Sequence, residues 1–212
     1  MFLKKIETYK KKLNLTKIQR EVLVGLLLGD ACLETQNNGR TYRLKIEYSL
    51  KNKEYCKYIY NLFQNWVLTP PRERIVKSGI HTSVNITFNT LSHEAFRFYA
   101  QQFYHEKRKV VPRIIHKLLT PSGLACWYMD DGSIKSKQSK GLILNTQGFV
   151  KHDIKVLINT LKNKYNLNSW ERKQKEGYQI YISGYDLDKF LNLIHEYIIP
   201  SMWYKIPKQK IR

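Results

Sequence analysis

The chain has 212 residues, 42% of them hydrophobic, which is enough for a sizeable core and too many for a disordered polyelectrolyte. Its 37 Lys and Arg against 17 Asp and Glu leave a net charge of +20 and a pI near 9.8, a self-repelling balance that points to a polyanionic partner, most often nucleic acid. Three scattered cysteines without a CxxC pair, six dispersed histidines and apolar runs no longer than "VLVGLLLG" exclude a disulfide framework, a zinc or histidine-dependent centre and a membrane span.

The opening stretch "MFLKKIETYKKKLNLTK" is basic, but it contains Glu7 and lacks arginine, serine and an apolar middle. It reads as part of the folded protein and not as a targeting signal. Thr16 and Gln19 form a capping-box pattern, which predicts a helix from about Lys17 to Gly29 that ends at Asp30. Next, "TYRLKIEYSL" (41–50) alternates: Tyr42, Leu44, Ile46 and Tyr48 on one face, Arg43, Lys45, Glu47 and Ser49 on the other. That is a strand with an apolar back and a charged front. Residues 53–67 then carry Tyr55, Ile59, Leu62, Phe63 and Trp66 at helical spacing. A hairpin follows over "ERIVKSGIHTSVNITFN" (73–89), turning near Ser78-Gly79, with Val84, Ile86 and Phe88 alternating with Asn85, Thr87 and Asn89. A helix at 92–105 and "KRKVVP" (107–112) complete this stretch.

The same order then recurs. Thr120 suits an N-cap and Pro121 a first helical position, which predicts a helix to about Asp130, just before Asp131. "GLILNTQ" (141–147) reads as a strand, and 152–165 as an amphipathic helix with Ile154, Leu157, Ile158 and Leu161. A hairpin over 169–183 turns through Glu176-Gly177, with Ile180 and Ile182 alternating with Gln179 and Tyr181. A helix at 186–198 leads to "WYKIP" (203–207). "ITFNTLSHEAF" (86–96) matches "IYISGYDLDKF" (180–190) in kind, so residues 1–119 and 120–212 form an internal duplication. A strand beside each aspartate is inferred from the repeat. Two similar halves pack most naturally about a pseudo-twofold axis, and Gly25, Gly29, Ala125 and Cys126 are small enough for two helix backbones to approach closely.

Each copy drives an apolar helix into a carboxylate. That is unfavourable, because the last carbonyls of a helix already present negative charge. Repetition at matching positions in a strongly basic chain points to compensation by a divalent cation, for which carboxylate and phosphate oxygens suit Mg²⁺.

The two segments, "LVGLLLGDA" (23–31) and "LACWYMDDG" (124–132), resemble the paired motifs of the LAGLIDADG homing endonucleases, in the single-chain, two-motif form encoded by organellar introns. In that register the catalytic acid at the eighth position falls on Asp30 and Asp131. Asp130 takes the seventh position and is not assigned a catalytic role. Leu28 and Met129 replace the name-giving acid at the sixth.

The resemblance covers the whole chain. It implies an α+β fold of two pseudo-symmetric αββαββα halves, whose antiparallel sheets form a DNA-binding saddle with the motif helices packed at the interface. It implies Asp30 and Asp131 as ligands to two or more Mg²⁺ ions, with Mn²⁺ substituting. Lys109 and Lys205, late in each half, are the candidates for orienting water or stabilising the transition state, with Lys107 or Arg108 as alternatives to the first. Arg43, Lys45, Arg72, Arg74, Asn85, Thr87, Asn89, Lys173, Gln179 and Tyr181 are the candidate DNA contacts. Glu47 and Asn145 are candidate neighbours of the active site.

The implied activity is Mg²⁺-dependent cleavage of both strands of a long, non-palindromic duplex by a monomer, leaving short 3′ overhangs. A maturase that binds intron RNA and a non-catalytic DNA-binding regulator are the alternatives on the same fold. The retained motif acids argue against the regulator and against a pure maturase, and leave intron RNA open as an additional partner. The implied location is the matrix of a mitochondrion or chloroplast. With 27 Lys, 20 Ile and 14 Asn, the composition fits an AT-rich organellar gene.

Overall fold

The computed structural model describes residues 2–79, 81–136 and 139–207. The chain divides into two compact units, Met1–Arg20 with Asp30–Ala100, and Glu21–Gly29 with Gln101–Arg212. The division runs through the first motif helix. Its opening turn belongs to the first unit and its last two turns to the second.

In the first unit, α1 (Phe2–Lys10) precedes α2 (Lys17–Leu28). Thr16 and Gln19 close the expected capping box: Gln19 N–H donates to Thr16 Oγ1 at 3.3 Å, and Thr16 N–H donates to Gln19 Oε1 at 2.9 Å. The strands β1 (Cys32–Glu34), β2 (Arg43–Ser49), β3 (Arg72–Ser78) and β4 (His81–Asn89) form an antiparallel sheet in the order β1-β2-β4-β3. Leu44, Ile46 and Tyr48 of β2 and Ile86 and Phe88 of β4 are buried, as are Tyr55, Cys56, Ile59 and Phe63 on one side of α3 (Lys53–Phe63). This is the two-residue alternation of a sheet with one covered face. A short helix, α4 (Arg97–Phe103), follows.

The second unit repeats the plan. After the short pair β5 (Tyr104–His105) and β6 (Arg108–Lys109) come α5 (Ile115–Leu118) and α6 (Pro121–Asp131). Then β7 (Gly132–Ser136), β8 (Ser139–Leu144), β9 (Ser169–Gln174) and β10 (Gly177–Ile182) form an antiparallel sheet in the order β7-β8-β10-β9. The helix α7 (Lys151–Tyr165) lies between β8 and β9 in sequence, and α8 (Leu187–Ile194) follows β10. Both sheets therefore share one strand order, and the strands inferred beside each aspartate are present as β1 and β7. The helix α1 was not foreseen. It is tied down by Tyr9 Oη–H, which donates to Asn65 O at 2.6 Å, and by the ring of His93 against Lys10 O at 3.1 Å.

Within the second unit the last turns of α2 pack on α6. Gly25 faces Gly123 and Cys126, and a Cβ on Gly25 would overlap the Gly123 carbonyl. Reciprocally, a Cβ on Gly123 would lie 2.8 Å from Glu21 O, closer than such carbons approach. Ala125 and Cys126 are buried at the same helix. Glycines thus set the distance between the two backbones, since any side chain would hold them apart.

Candidate active site

The two motif helices end in the same way. Lys109, on β6, donates from Nζ to Gly29 O at 2.7 Å, on the carbonyl one residue before Asp30. Lys205, at the end of the turn Pro200–Lys205, donates from Nζ to Met129 O at 2.5 Å and to Asp130 O at 2.7 Å, on the carbonyls just before Asp131. Each lysine is some 75–80 positions away in sequence from the carbonyl it meets, and each supplies the cation that a helix C-terminus favours and that the motif itself lacks. The Lys205 segment is pinned by Tyr128 Oη–H, which donates to Lys205 O at 2.6 Å. Burial pushes that phenol well above the usual tyrosine range, so it remains a donor.

Asn145, just past β8, holds the Asp131 backbone twice. Its N–H donates to Asp131 O at 3.0 Å and its Nδ2 donates to the same oxygen at 2.8 Å. Its Oδ1 in turn accepts from Gln179 Nε2 at 2.7 Å. Gln179 thus reaches the motif end through Asn145. Gly132 follows Asp131 directly, and a side chain there would run into the Tyr128 ring.

On the sheet of the first unit, the register gathers the expected contacts on one face. Lys45 lies opposite Asn89, Glu47 opposite Thr87, and Thr87 opposite Arg72. Arg74 lies opposite Asn85, and Arg43 opposite Glu34. Directly opposed residues share a face, so the charged front of β2 continues across all four strands. Its cations are laced by two acids. Arg43 and Lys45 meet Glu34 at 2.9 and 3.3 Å, while Arg74 and Asn85 Nδ2 meet Glu47 at 3.3 and 3.0 Å. Burial pulls the Glu34 carboxyl upward, but Arg43 and Lys45 outweigh it and hold the group below the usual carboxylate range. Glu47 therefore belongs to this ionic cluster. Thr87 is buried, and its hydroxyl donates to Ile46 O at 2.7 Å. Asn89 lines a cavity of about 210 Å³ with Arg72 and Leu68.

On the sheet of the second unit, one grouping is corrected. Lys173 lies opposite Tyr178, on the side that carries buried Ile180 and Ile182 and that meets α7 through the 3.0 Å Lys151–Glu171 pair. It is not on the face of Gln179 and Tyr181. Grouping Lys173 with Gln179 requires a three-residue turn. The observed turn has two residues, Lys175 and Glu176, between the paired Gln174 and Gly177, and a one-residue slip transfers every side chain to the other face. The face of Gln179 and Tyr181 instead carries Arg172 and Trp170 directly opposite them. Both were legible in the alternation of "SWERKQ", had the turn length been known.

No helix among the described residues is long and apolar enough to cross a membrane. The model of the LAGLIDADG DNA endonuclease family matches residues 20–190. The probable intron-encoded endonuclease 1 of Wickerhamomyces canadensis is 36% identical over 211 residues, spanning 96% of this chain and 90% of that protein. The cytochrome b mRNA maturase bI2 of Debaryomyces hansenii is 31% identical, spanning 91% of this chain and 74% of its own. The solved structure of the homing endonuclease I-WcaI bound to its DNA recognition sequence superposes with a TM-score of 0.89 at 34% identity, covering 95% of this chain and 91% of that one. The chain belongs to the LAGLIDADG DNA endonuclease family.

Proposed function

We propose that the protein is a monomeric, site-specific endonuclease of intron homing that hydrolyses both strands of a long, asymmetric DNA duplex. The carrying observation is the matched pair of motif ends, where Lys109 sits on the carbonyl before Asp30 and Lys205 on the carbonyl before Asp131. The basic sheet faces would engage phosphates and base edges in the major groove. The halves 1–119 and 120–212 are read as the duplicated units, and their unlike faces account for a non-palindromic target.

The donor chemistry fits a hard divalent cation. Of the motif acids only Asp30 and Asp131 are read as ligands, and no group of three or more His, Cys, Asp or Glu that could hold a metal ion is gathered among the described residues. Water and substrate phosphate would therefore complete the coordination, as Mg²⁺ prefers. Asp30 and Asp131 would hold the ions, two or more in number, and Mn²⁺ would substitute. When bound, such ions activate water and neutralise charge on the phosphoryl oxygens. The chain's own part is to place the carboxylates, to keep an ammonium beside each helix end where anionic charge develops, and to hold the Asp131 backbone through Asn145. In the reaction a water oxygen bonds to phosphorus, a backbone P–O bond breaks, and the departing oxygen takes a proton.

The intron-encoded relatives support an organellar gene and a protein of the mitochondrial or chloroplast matrix. The maturase among the relatives favours intron RNA as a second partner class. The test is a plasmid bearing the intron-free insertion site, incubated with and without Mg²⁺. Asp30→Asn and Asp131→Asn are expected to abolish linearisation while retaining DNA binding. Linearisation by either variant defeats the assignment, and intact DNA alongside tight intron-RNA binding supports the maturase reading in its place.

A further inference from the structure

The second sheet carries a feature that phosphate binding and hydrogen-bonded readout leave unexplained. Trp170 is 50% exposed. It lies directly opposite Tyr181 in register, with ring centroids 4.5 Å apart and planes tilted by 48°. Tyr181 is opposed on its other side by Ile143, which places all three on one face. The core of this sheet lies on the opposite face, where Leu142, Leu144, Ile180 and Ile182 are fully buried. Trp170 and Tyr181 are therefore not core residues.

The pair is also built. Gly141, on the same face of β8, receives the phenol end of Tyr181, and any side chain at 141 would collide with it. Lys135 Nζ sits 5.0 Å above the tyrosine ring. Arg172 and Gln179 oppose each other beside the pair. An aromatic surface with a glycine seat, flanked by cations, on the polar face of a strongly basic chain marks an interaction site.

We infer that Trp170 and Tyr181 form an apolar platform that reads thymine 5-methyl groups in duplex DNA, a reading that rests on the nuclease function proposed above. The major-groove edges of the bases are polar except for that methyl group, which is the one base feature an apolar side chain recognises there. Arg172 and Lys135 supply charge complementary to the flanking phosphates. Stacking of an unpaired base is the competing use of an aromatic sheet, but it requires open ring faces. Tyr181 is engaged already: its phenol end is seated at Gly141, Trp170 packs against it with centroids 4.5 Å apart, and Lys135 Nζ sits 5.0 Å from the ring centroid.

The test uses a duplex recovered from a randomised plasmid library by cleavage in Mg²⁺. Its thymidines are replaced one at a time by deoxyuridine, which removes the methyl and nothing else. The expected result is a loss of affinity of about fourfold at one or two adjacent positions, the worth of one buried methyl. In Trp170→Gln that penalty disappears while penalties elsewhere remain, and thermal melting of the variant controls for folding. The inference is overturned if the wild type tolerates uracil everywhere, if Trp170→Gln keeps the same penalty, or if tryptophan quenching is stronger on single strands than on the duplex. Recovery of no cleaved duplex overturns the nuclease reading, and the inference with it.

Discussion

The ammonium of Lys205 lies 2.7 Å from the carbonyl oxygen of Asp130, and Lys109 makes the matching contact with Gly29 at the other motif. Neither lysine is near its motif in sequence. Each sits on the last carbonyls of a motif helix, where a cation is favoured, and in the proposed function the same cation would face the charge that develops on a scissile phosphate. Replacing Lys205 by Met removes both. Cleavage is expected to fall about 10²–10³-fold, the usual worth of one preorganised donor to developing charge, with DNA binding changed much less. Because each motif serves one strand in this reading, Lys109→Met and Lys205→Met should each accumulate nicked plasmid, and nicks on opposite strands. Equal slowing of both strands by either variant would count against a one-lysine-per-strand role.

Gly25 supplies a prediction whose sign separates two effects. In an exposed helix, Gly→Ala stabilises by roughly 1 kcal/mol through propensity. Here the new methyl would overlap the Gly123 carbonyl, a backbone atom that cannot turn aside. Overpacking of this kind costs about 1–3 kcal/mol, so Gly25→Ala should lower the melting temperature and reduce cleavage together. Gly148, which has open space around it, is the control, because Ala there meets nothing. A rise in melting temperature for Gly25→Ala would mean that the helices yield at little cost.

Register supplies a third. Arg172 shares a face with Gln179, whereas Lys173 lies opposite Tyr178 on the other side. Arg172→Ala should weaken duplex binding and reduce the slope of log K against log salt by about 0.9, the signature of one lost phosphate contact. Lys173→Ala should leave the slope unchanged. The two variants carry equal charge loss, so an equal fall in slope for both would show a non-specific charge effect and overturn the face assignment, and a fall for Lys173→Ala alone would return the contact to Lys173.

These cases show what could be read from residues and what could not. The motif helices, their caps and the alternating strands were visible because period and capping are local properties, as with Thr16 and Gln19. Lys109 and Lys205 were found only because the resemblance placed them late in each half, since nothing local in "KRKVVP" or "WYKIP" says that an ammonium meets a carbonyl 75–80 positions earlier. Thr87 reads in sequence like Asn85 and Asn89, yet its short side chain folds back onto Ile46 O and is buried. Lys173 failed on turn length, which for a hairpin decides the face of every residue that follows. Trp170 was missed for the same reason.

Asp186 gives a pH-dependent prediction. It is 5% exposed, and its Oδ1 accepts from Lys189 Nζ at 2.8 Å while its Oδ2 accepts from the N–H and Nδ2 of Asn168 at 2.7 and 2.8 Å. The Lys189 contact is the main influence that holds its carboxyl below the ordinary value, against the opposing effect of burial, and Asn168 helps. A carboxyl depressed in the folded state binds its proton more readily when unfolded. Stability therefore rises with pH between the folded value and the ordinary value of about 3.9, is fully present above it, and is lost as pH falls through the folded value. Asp186→Asn keeps one acceptor and loses the charge, which should cost about 1–3 kcal/mol near neutral pH. The gap in melting temperature between wild type and variant should stay constant above about pH 4 and close below it, while the other carboxylates cancel in the comparison. A gap that persists unchanged to pH 2, or closes already near pH 6, would show that Asp186 is not the group being titrated.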